Sequence, residues 1–276
     1  MGIETPRTPD ASPGVWGNPW HELHSFIAKT LVIAELEARR LRHDPTELVS
    51  RAVQPALWLL IFGEVFARVR GVGTGNYQAF ITPGILAQSV LFIAIFYGIA
   101  IIWERDLGIV HKFLVSPTPR TALVLGKALS AGVRALSQAI IIYALALMIR
   151  IPLNWQPFSL LGVVLFVILG AALFSTFSLV IALIVKTRER FMGIGQILTM
   201  PLFFASNAIY PIVLMPHWLQ VAAHLNPLTY EVDALRSLML VGTASGYGLL
   251  VDFAVLLMVT ILLVMLGGLL YPRVVT

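Results

Sequence analysis

The chain has no cysteine. That absence excludes disulfides, thiol nucleophiles and thiolate-held metals. Charge is scarce as well: Asp, Glu, Lys and Arg make up 12% of the 276 residues, against about 25% in a soluble domain. With 58% hydrophobic residues, the chain carries more apolar surface than a water-soluble fold can bury. Composition therefore places it among integral membrane proteins.

Motifs for chemistry are missing too. Leu125-Gly126-Lys127-Ala128 contains the Gly-Lys pair of a Walker A loop, but Thr121 and Ala128 stand where that loop needs Gly and Ser or Thr. The glycines of Gly71–Gly75 follow no strand and read as a flexible turn. The six histidines, His21, His24, His43, His111, His217 and His224, show no His-Glu-x-x-His spacing, so no metal site is predicted. No acid, base and nucleophile converge, which argues against an enzyme. The net charge of +5 comes without a basic stripe interleaved with aromatics, so no nucleic-acid partner is predicted. The first 48 residues lack the apolar core and cleavage site of a secretory signal, and the N-terminus is expected to stay in the cytoplasm.

A bilayer-crossing helix needs about 20 mostly apolar residues. Six stretches qualify, at about 49–67, 80–103, 128–149, 158–185, 191–210 and 249–271. With both termini inside, 14 Lys and Arg residues are cytoplasmic and four, Arg68, Arg70, Arg150 and Arg236, are external. Arg134 lies within span three. This asymmetry predicts a multi-pass protein of the cytoplasmic membrane.

Residues 1–19 read as a disordered tail, and the membrane domain as 20–276. Leu23, Ile27, Leu31, Ala34, Ala38 and Leu41 share one face of a helix that Asp44-Pro45 ends. Such a helix suits the inner membrane surface or a partner subunit. The stretch 211–240 is too polar and too Pro-broken to span. It predicts two short outer helices separated by Asn226-Pro227, dipping where protein covers them. Within it, Glu231, Asp233 and Arg236 predict a local ion pair. Glu64, Arg134 and Asp252 sit within snorkelling reach of an interface.

The stretch Trp103–Arg120, WERDLGIVHKFLVSPTPR, falls on the cytoplasmic side. Trp103, Leu107, Val110 and Leu114 fall within about 60° of arc on a helix. Glu104, Arg105, Gly108, His111 and Lys112 take the other side, and Ser116-Pro117 ends the helix. A stiff amphipathic helix held between two spans can pass force from a docked partner to both. A wet connector is the bland alternative.

Three segments together resemble the ABC-2 family of ABC-transporter membrane subunits, of the daunorubicin-resistance and nodulation-export type. They are YQAFITPGILAQSV, ERDLGIVHKFLVSPTPRTALVLGKAL and NPLTYEVDALRSLML. Asp106 and Ile109 depart from the family pattern, where many members have Glu and Thr. The resemblance implies an all-α integral membrane fold with six transmembrane helices, an N-terminal interface helix, a cytoplasmic coupling helix and short outer re-entrant helices between spans five and six. It implies a second permease copy (homodimer or related heterodimer) and a separate ABC ATPase. ATP and Mg would bind that partner, and no cofactor would bind this chain. It further implies export of an amphipathic or lipid-like substrate (drug, glycolipid, polyketide or polysaccharide) by alternating access.

On the same basis Glu104, Arg105, Gly108, Lys112, Phe113 and Pro117 would couple to the ATPase. Gln88, Ser89 and Tyr97 of span two would line the pathway with Gln196, Thr199, Phe203, Phe204, Ser206 and Asn207 of span five, which Pro201 would kink. Polar residues in spans also commonly hydrogen-bond between helices. The competing expectation is an ion-coupled secondary transporter using Glu64 and Asp252.

Overall fold

A computed structural model describes residues 53–67, 77–99, 102–103, 107, 120–185 and 187–270. The expected tail 1–19 and the expected interface helix 20–43 lie outside the described residues. Regular structure among the described residues is helical: α1 (Val53–Phe66), α2 (Tyr77–Tyr97), α3 (Arg120–Met148), α4 (Pro157–Ile184), α5 (Arg188–Phe204), α6 (His217–Leu225), α7 (Pro227–Met239) and α8 (Leu249–Leu270). The backbone widens to a π-helix at Trp58–Phe62 within α1. One isolated antiparallel bridge joins Leu153 to Leu240.

Four of these helices, α2, α3, α4 and α8, are long and apolar enough to cross a membrane. α1 is a shorter apolar helix. α5 has 17 residues, about 25 Å at 1.5 Å per residue. Residues 205–210 were expected to continue span five but are not helical. Pro201 lacks the N–H that would bond the carbonyl one turn back, and the helix ends one turn later, at Phe204. Span three begins earlier than expected, at Arg120.

α4 is the central helix and packs against α2, α3, α7 and α8. Its start is set by Pro157 at the first helical position, where a missing N–H is harmless and φ is preset. It is apolar all round, as a helix surrounded by protein can be. Between membrane helices, close van der Waals fit replaces the hydrophobic drive, and small residues permit it. Gly132 of α3 meets Ile168 of α4 in this way, and Gly98, just past α2, meets Ser178 and Phe191. The Ser178 hydroxyl donates to the Ile95 carbonyl, pinning α4 to α2.

The C-terminal ends of α3 and α7 and the loop after α5 gather at one end of the bundle with the N-terminal ends of α2, α4 and α8. Tyr77 donates to the Ile209 carbonyl at 2.8 Å. The Asn154 N–H donates to the Met239 carbonyl at 2.7 Å. These contacts fix the loop end.

Candidate functional site

At the loop end, two of the sequence segments singled out above meet each other and the 205–209 loop. Asn226 begins the construction. Its Oδ1 accepts from the Leu228 N–H at 3.0 Å, the N-cap bond that starts α7. Its Nδ2 donates to the Leu202 carbonyl at 2.6 Å and to the Ala205 carbonyl at 3.0 Å. These are carbonyls that the end of α5 leaves without helical partners. One side chain thus starts one helix and closes another. Pro227 follows at the first helical position.

Arg236, nearly three turns further along α7, is the second tie. Its guanidinium is almost wholly buried, donates to the Asn207 carbonyl at 2.7 Å and lies over the Phe80 ring at 4.0 Å. It also reaches the Phe80 carbonyl at 3.5 Å. Burial lowers its pKa to about 10, and the nearby Asp233 charge opposes that fall. The cation is held by carbonyl dipoles and a ring face, both suited to a site without water.

Gly84 completes the junction from α2. A Cβ there would collide with the Ala208 backbone, so the Pro83-Gly84 pair lets the loop lie directly on α2. Aromatic rings extend the junction into α1. Trp58 stacks on Phe62 at 4.2 Å, Phe62 on Phe66 at 6.1 Å and Tyr77 on Phe80 at 6.1 Å, while Phe66 meets Tyr77 tilted at 5.6 Å.

The expected ion pair among Glu231, Asp233 and Arg236 does not form. Arg236 bonds to carbonyls, and Asp233 accepts from the Ser245 hydroxyl at 2.8 Å and the Tyr247 N–H at 3.1 Å. Glu231 turns to α4 instead. It is fully buried, neither carboxyl oxygen has a hydrogen-bond partner among the described residues, and its carboxyl lies where a Cβ on Gly170 would be. Burial pushes its pKa well above the ordinary 4.5, because an apolar site disfavours the charged form. Asp252, expected to snorkel, is also fully buried and bonds to Ser245. Glu64 is exposed and accepts from Gln78 Nε2 at 3.4 Å. Arg134 is half-buried in α3.

The nine residues expected along a pathway divide. On α5, Phe191, Gly195, Thr199 and Phe203 form the buried face against α2. Gln196, Ile197, Met200 and Phe204 are exposed. Thr199 and Phe203 therefore point into the bundle, with Phe203 edge-on to Trp58 at 5.6 Å, while Gln196 and Phe204 stand on the open side. Thr199 bonds back to the Gly195 carbonyl, Ser206 to that of Phe203 and Ser89 to that of Ile85. Ser206 and Asn207 are buried in the junction, and Gln88 is buried in α2. Tyr97 closes α2, and its side chain lies outside the described residues.

The expected coupling residues, Glu104, Arg105, Gly108, Lys112, Phe113 and Pro117, also lie outside the described residues. At the described positions beside them, the Leu107 N–H donates to the Trp103 carbonyl at 2.9 Å. Both side chains are exposed, and the Arg188 guanidinium lies 3.8 Å from the Trp103 ring centre. That contact places the start of this stretch against the start of α5.

Asn226, Arg236, Tyr77, Phe80 and Gly84 were not singled out as site residues from sequence. Asn-Pro before an apolar-periodic run does mark a helix start, and Pro-Gly inside a span marks a close approach. Their mutual contacts cross 132 positions between Tyr77 and Ile209 and 156 between Phe80 and Arg236, a pairing that no local pattern encodes.

The family profile described as ABC-2 type transporter matches residues 28–240. The ycf38 protein of Cyanophora paradoxa, named as a transport permease, is 31% identical over 221 residues, covering 77% of this chain and 74% of the relative. The inner membrane transport permease YadH of Escherichia coli K12 is 27% identical over 247 residues, covering 86% and 91%. The daunorubicin resistance ABC transporter permease protein DrrB1 of Streptomyces coeruleorubidus is 25% identical over 198 residues, covering 72% and 70%. The matched region contains both segments that meet at the loop end, and the chain belongs to the ABC-2 type transporter family of membrane permeases.

Proposed function

We propose that the chain is the membrane-spanning subunit of an ATP-driven exporter, working by alternating access with a separate ATPase. Membership of the ABC-2 transporter family carries this reading, and the absence of a Walker A loop from the sequence assigns ATP and Mg to the partner. A second permease copy completes the unit. The loop end is the outer face, and the termini and the 104–117 stretch are cytoplasmic, as the Lys and Arg asymmetry indicates.

In this reading Glu104, Arg105, Gly108, Lys112, Phe113 and Pro117 dock on the ATPase. Movement there reaches α5 through the Trp103–Arg188 contact, and α5 carries it to the loop end through Asn226. The open face of α5, with Gln196 and Phe204, lines the pathway with residues of α2. Apolar and aromatic side chains on that face suit an amphipathic or lipid-like cargo. The daunorubicin in one relative's name belongs to that chemical class.

Ion coupling through Glu64 and Asp252 fits less well, because both carboxyls are already engaged in structural hydrogen bonds, Glu64 with Gln78 and Asp252 with Ser245.

Co-expression with the ATPase of a neighbouring reading frame tests the assignment. The two proteins should co-purify from membranes, and the permease alone should hydrolyse no ATP. Reversing charge at Glu104 and Arg105 together should reduce ATP-driven transport at least tenfold, while α1–α8 stay folded. Unchanged transport in that double variant would remove the coupling role from these residues.

A further inference from the structure

Beyond transport itself, the loop between α7 and α8 holds a hydrogen-bond arrangement that counts its own protons. Three polar groups converge on the Ser245 hydroxyl. The Gly248 N–H donates to Oγ at 2.7 Å. Oδ2 of Asp233 lies 2.8 Å from the same oxygen, and Oδ2 of Asp252 lies 3.0 Å from it. A serine hydroxyl has one hydrogen to give and two lone pairs to receive. Gly248 takes one lone pair. The single hydrogen can satisfy one carboxylate, and an ionised carboxylate is acceptor-only. The second carboxyl completes its contact only by bringing a hydrogen of its own. Sharing one hydrogen between two ionised groups would leave two buried negative charges on one oxygen, an arrangement of high desolvation cost.

The surroundings assign the proton. Asp233 Oδ2 already accepts the Tyr247 N–H at 3.1 Å, and Asp233 is close enough to act electrostatically on the Arg236 cation. Both suit Asp233 Oδ2 as the acceptor of the Ser245 hydrogen. Asp252 is fully buried, and its Oδ1 has no hydrogen-bond partner among the described residues. The other titratable groups nearby are Tyr230 of α7 and Tyr247, whose hydroxyl pairs with His224 Nδ1 of α6 at 2.8 Å. α4, packed against α8, contains no titratable residue. α3 also packs there; its Arg120, Lys127 and Arg134 belong to its first half, and its Tyr143 sits edge-on to Trp155 at 5.7 Å.

We infer that Asp252 carries a proton and donates it to Ser245 Oγ, whose own hydrogen goes to ionised Asp233, forming a proton-held latch between α7 and the first turn of α8. Closing the latch makes only hydrogen bonds; opening it breaks the Asp252 O–H bond and passes that proton to water. Loss of the proton to water sets two carboxylates against one hydroxyl and opens the latch. Asp233 shares α7 with Asn226 and Arg236, so the latch anchors the helix that ties α2 to the end of α5.

Infrared difference spectroscopy on the full-length chain in lipid nanodiscs at neutral pH reads the proton directly. Asp252→Asn should remove one protonated-carboxyl carbonyl band per chain. Asp233→Asn should remove an ionised-carboxylate band and leave that carbonyl band in place. Glu231→Gln identifies the separate contribution of Glu231. The amide of Asp252→Asn can still donate to Ser245, so this variant should melt at the wild-type temperature at neutral pH and lose part of the fall in stability at alkaline pH. Asp252→Ala should melt lower at every pH. If Asp252→Asn yields no folded protein, Ser245→Ala gives the second reading: the Asp252 carbonyl band should shift as its acceptor is lost. An unchanged protonated-carboxyl band in Asp252→Asn, its loss in Asp233→Asn, or no shift in Ser245→Ala overturns the latch.

Discussion

α4 and α8 are nearly alike as sequences and very different as parts of the molecule. Both are long, uninterrupted and apolar on every face, with mean hydropathy of 2.6 and 2.9 in their spanning windows. Yet 72% of the α4 window is buried inside the bundle, against 28% for α8. Composition thus says that a helix belongs in a membrane, and it does not say whether lipid or protein surrounds it. Small and polar positions make the difference. α4 buries Gly170, Ser175, Thr176 and Ser178, and two of these meet specific groups on other helices, Gly170 the Glu231 carboxyl and Ser178 the Ile95 carbonyl. α8 buries Asp252, Thr260 and Gly267 along one side, while Leu250, Leu257, Met258, Ile261, Leu262 and Met265 are exposed. In hydrocarbon an exposed leucine loses nothing, so association rests on close fit and satisfied polar groups.

The comparison can be broken most severely at Gly170. Gly170→Leu would drive a side chain into the Glu231 carboxyl, and overpacking of this kind costs about 3 kcal/mol or more. Little folded protein should survive detergent extraction, as size-exclusion chromatography would read. A smaller loss is expected at Asn226→Ala. It removes the α7 cap, worth about 1 kcal/mol, and strips the Leu202 and Ala205 carbonyls of their donor, at about 1–3 kcal/mol for a buried unsatisfied group. The melting temperature should fall clearly, with Asn226→Asp rescuing the cap and not the carbonyl bonds.

Glu231→Gln sharpens the comparison through pH. The folded pKa of Glu231 is raised by burial above 4.5, so the native state binds a proton that the unfolded state releases. Stability from this group is complete below pH 4.5 and is lost as pH rises toward the folded value. Thermal melts of the wild type should therefore weaken with rising pH, and Glu231→Gln should flatten that dependence and match or exceed the wild type at alkaline pH. The smallest effect belongs to the lipid-facing side of α8, where Leu262→Ala should change stability by about 0.5 kcal/mol or less. A large effect there would place a protein surface, such as a second copy, against that face.

These contrasts also mark how far the sequence could be read. Apolar runs located the helices, and Asn226-Pro227 located the joint between α6 and α7, because both depend on neighbours along the chain. The early end of α5 was legible only in part: Pro201 marks a weakness, whereas the Ser206 and Asn226 bonds that settle the end come from a loop and from a distant segment. Helical spacing suggests a mutual ion pair among Glu231, Asp233 and Arg236, while the groups that hold them lie on α2, α4, the 205–209 loop and the 241–248 loop. Asp252 was placed near an interface from its position in the span, and only the folded loop reveals that Ser245 covers it.

Dye uptake into inverted membrane vesicles carrying the permease and its ATPase tests the central claim most directly. With a fluorescent amphipathic dye as probe, uptake should require ATP, should not respond to a proton or sodium gradient imposed without ATP, and should persist in the Glu64→Gln, Asp252→Asn double variant. Uptake driven by an ion gradient alone, and abolished in that variant, would contradict the account.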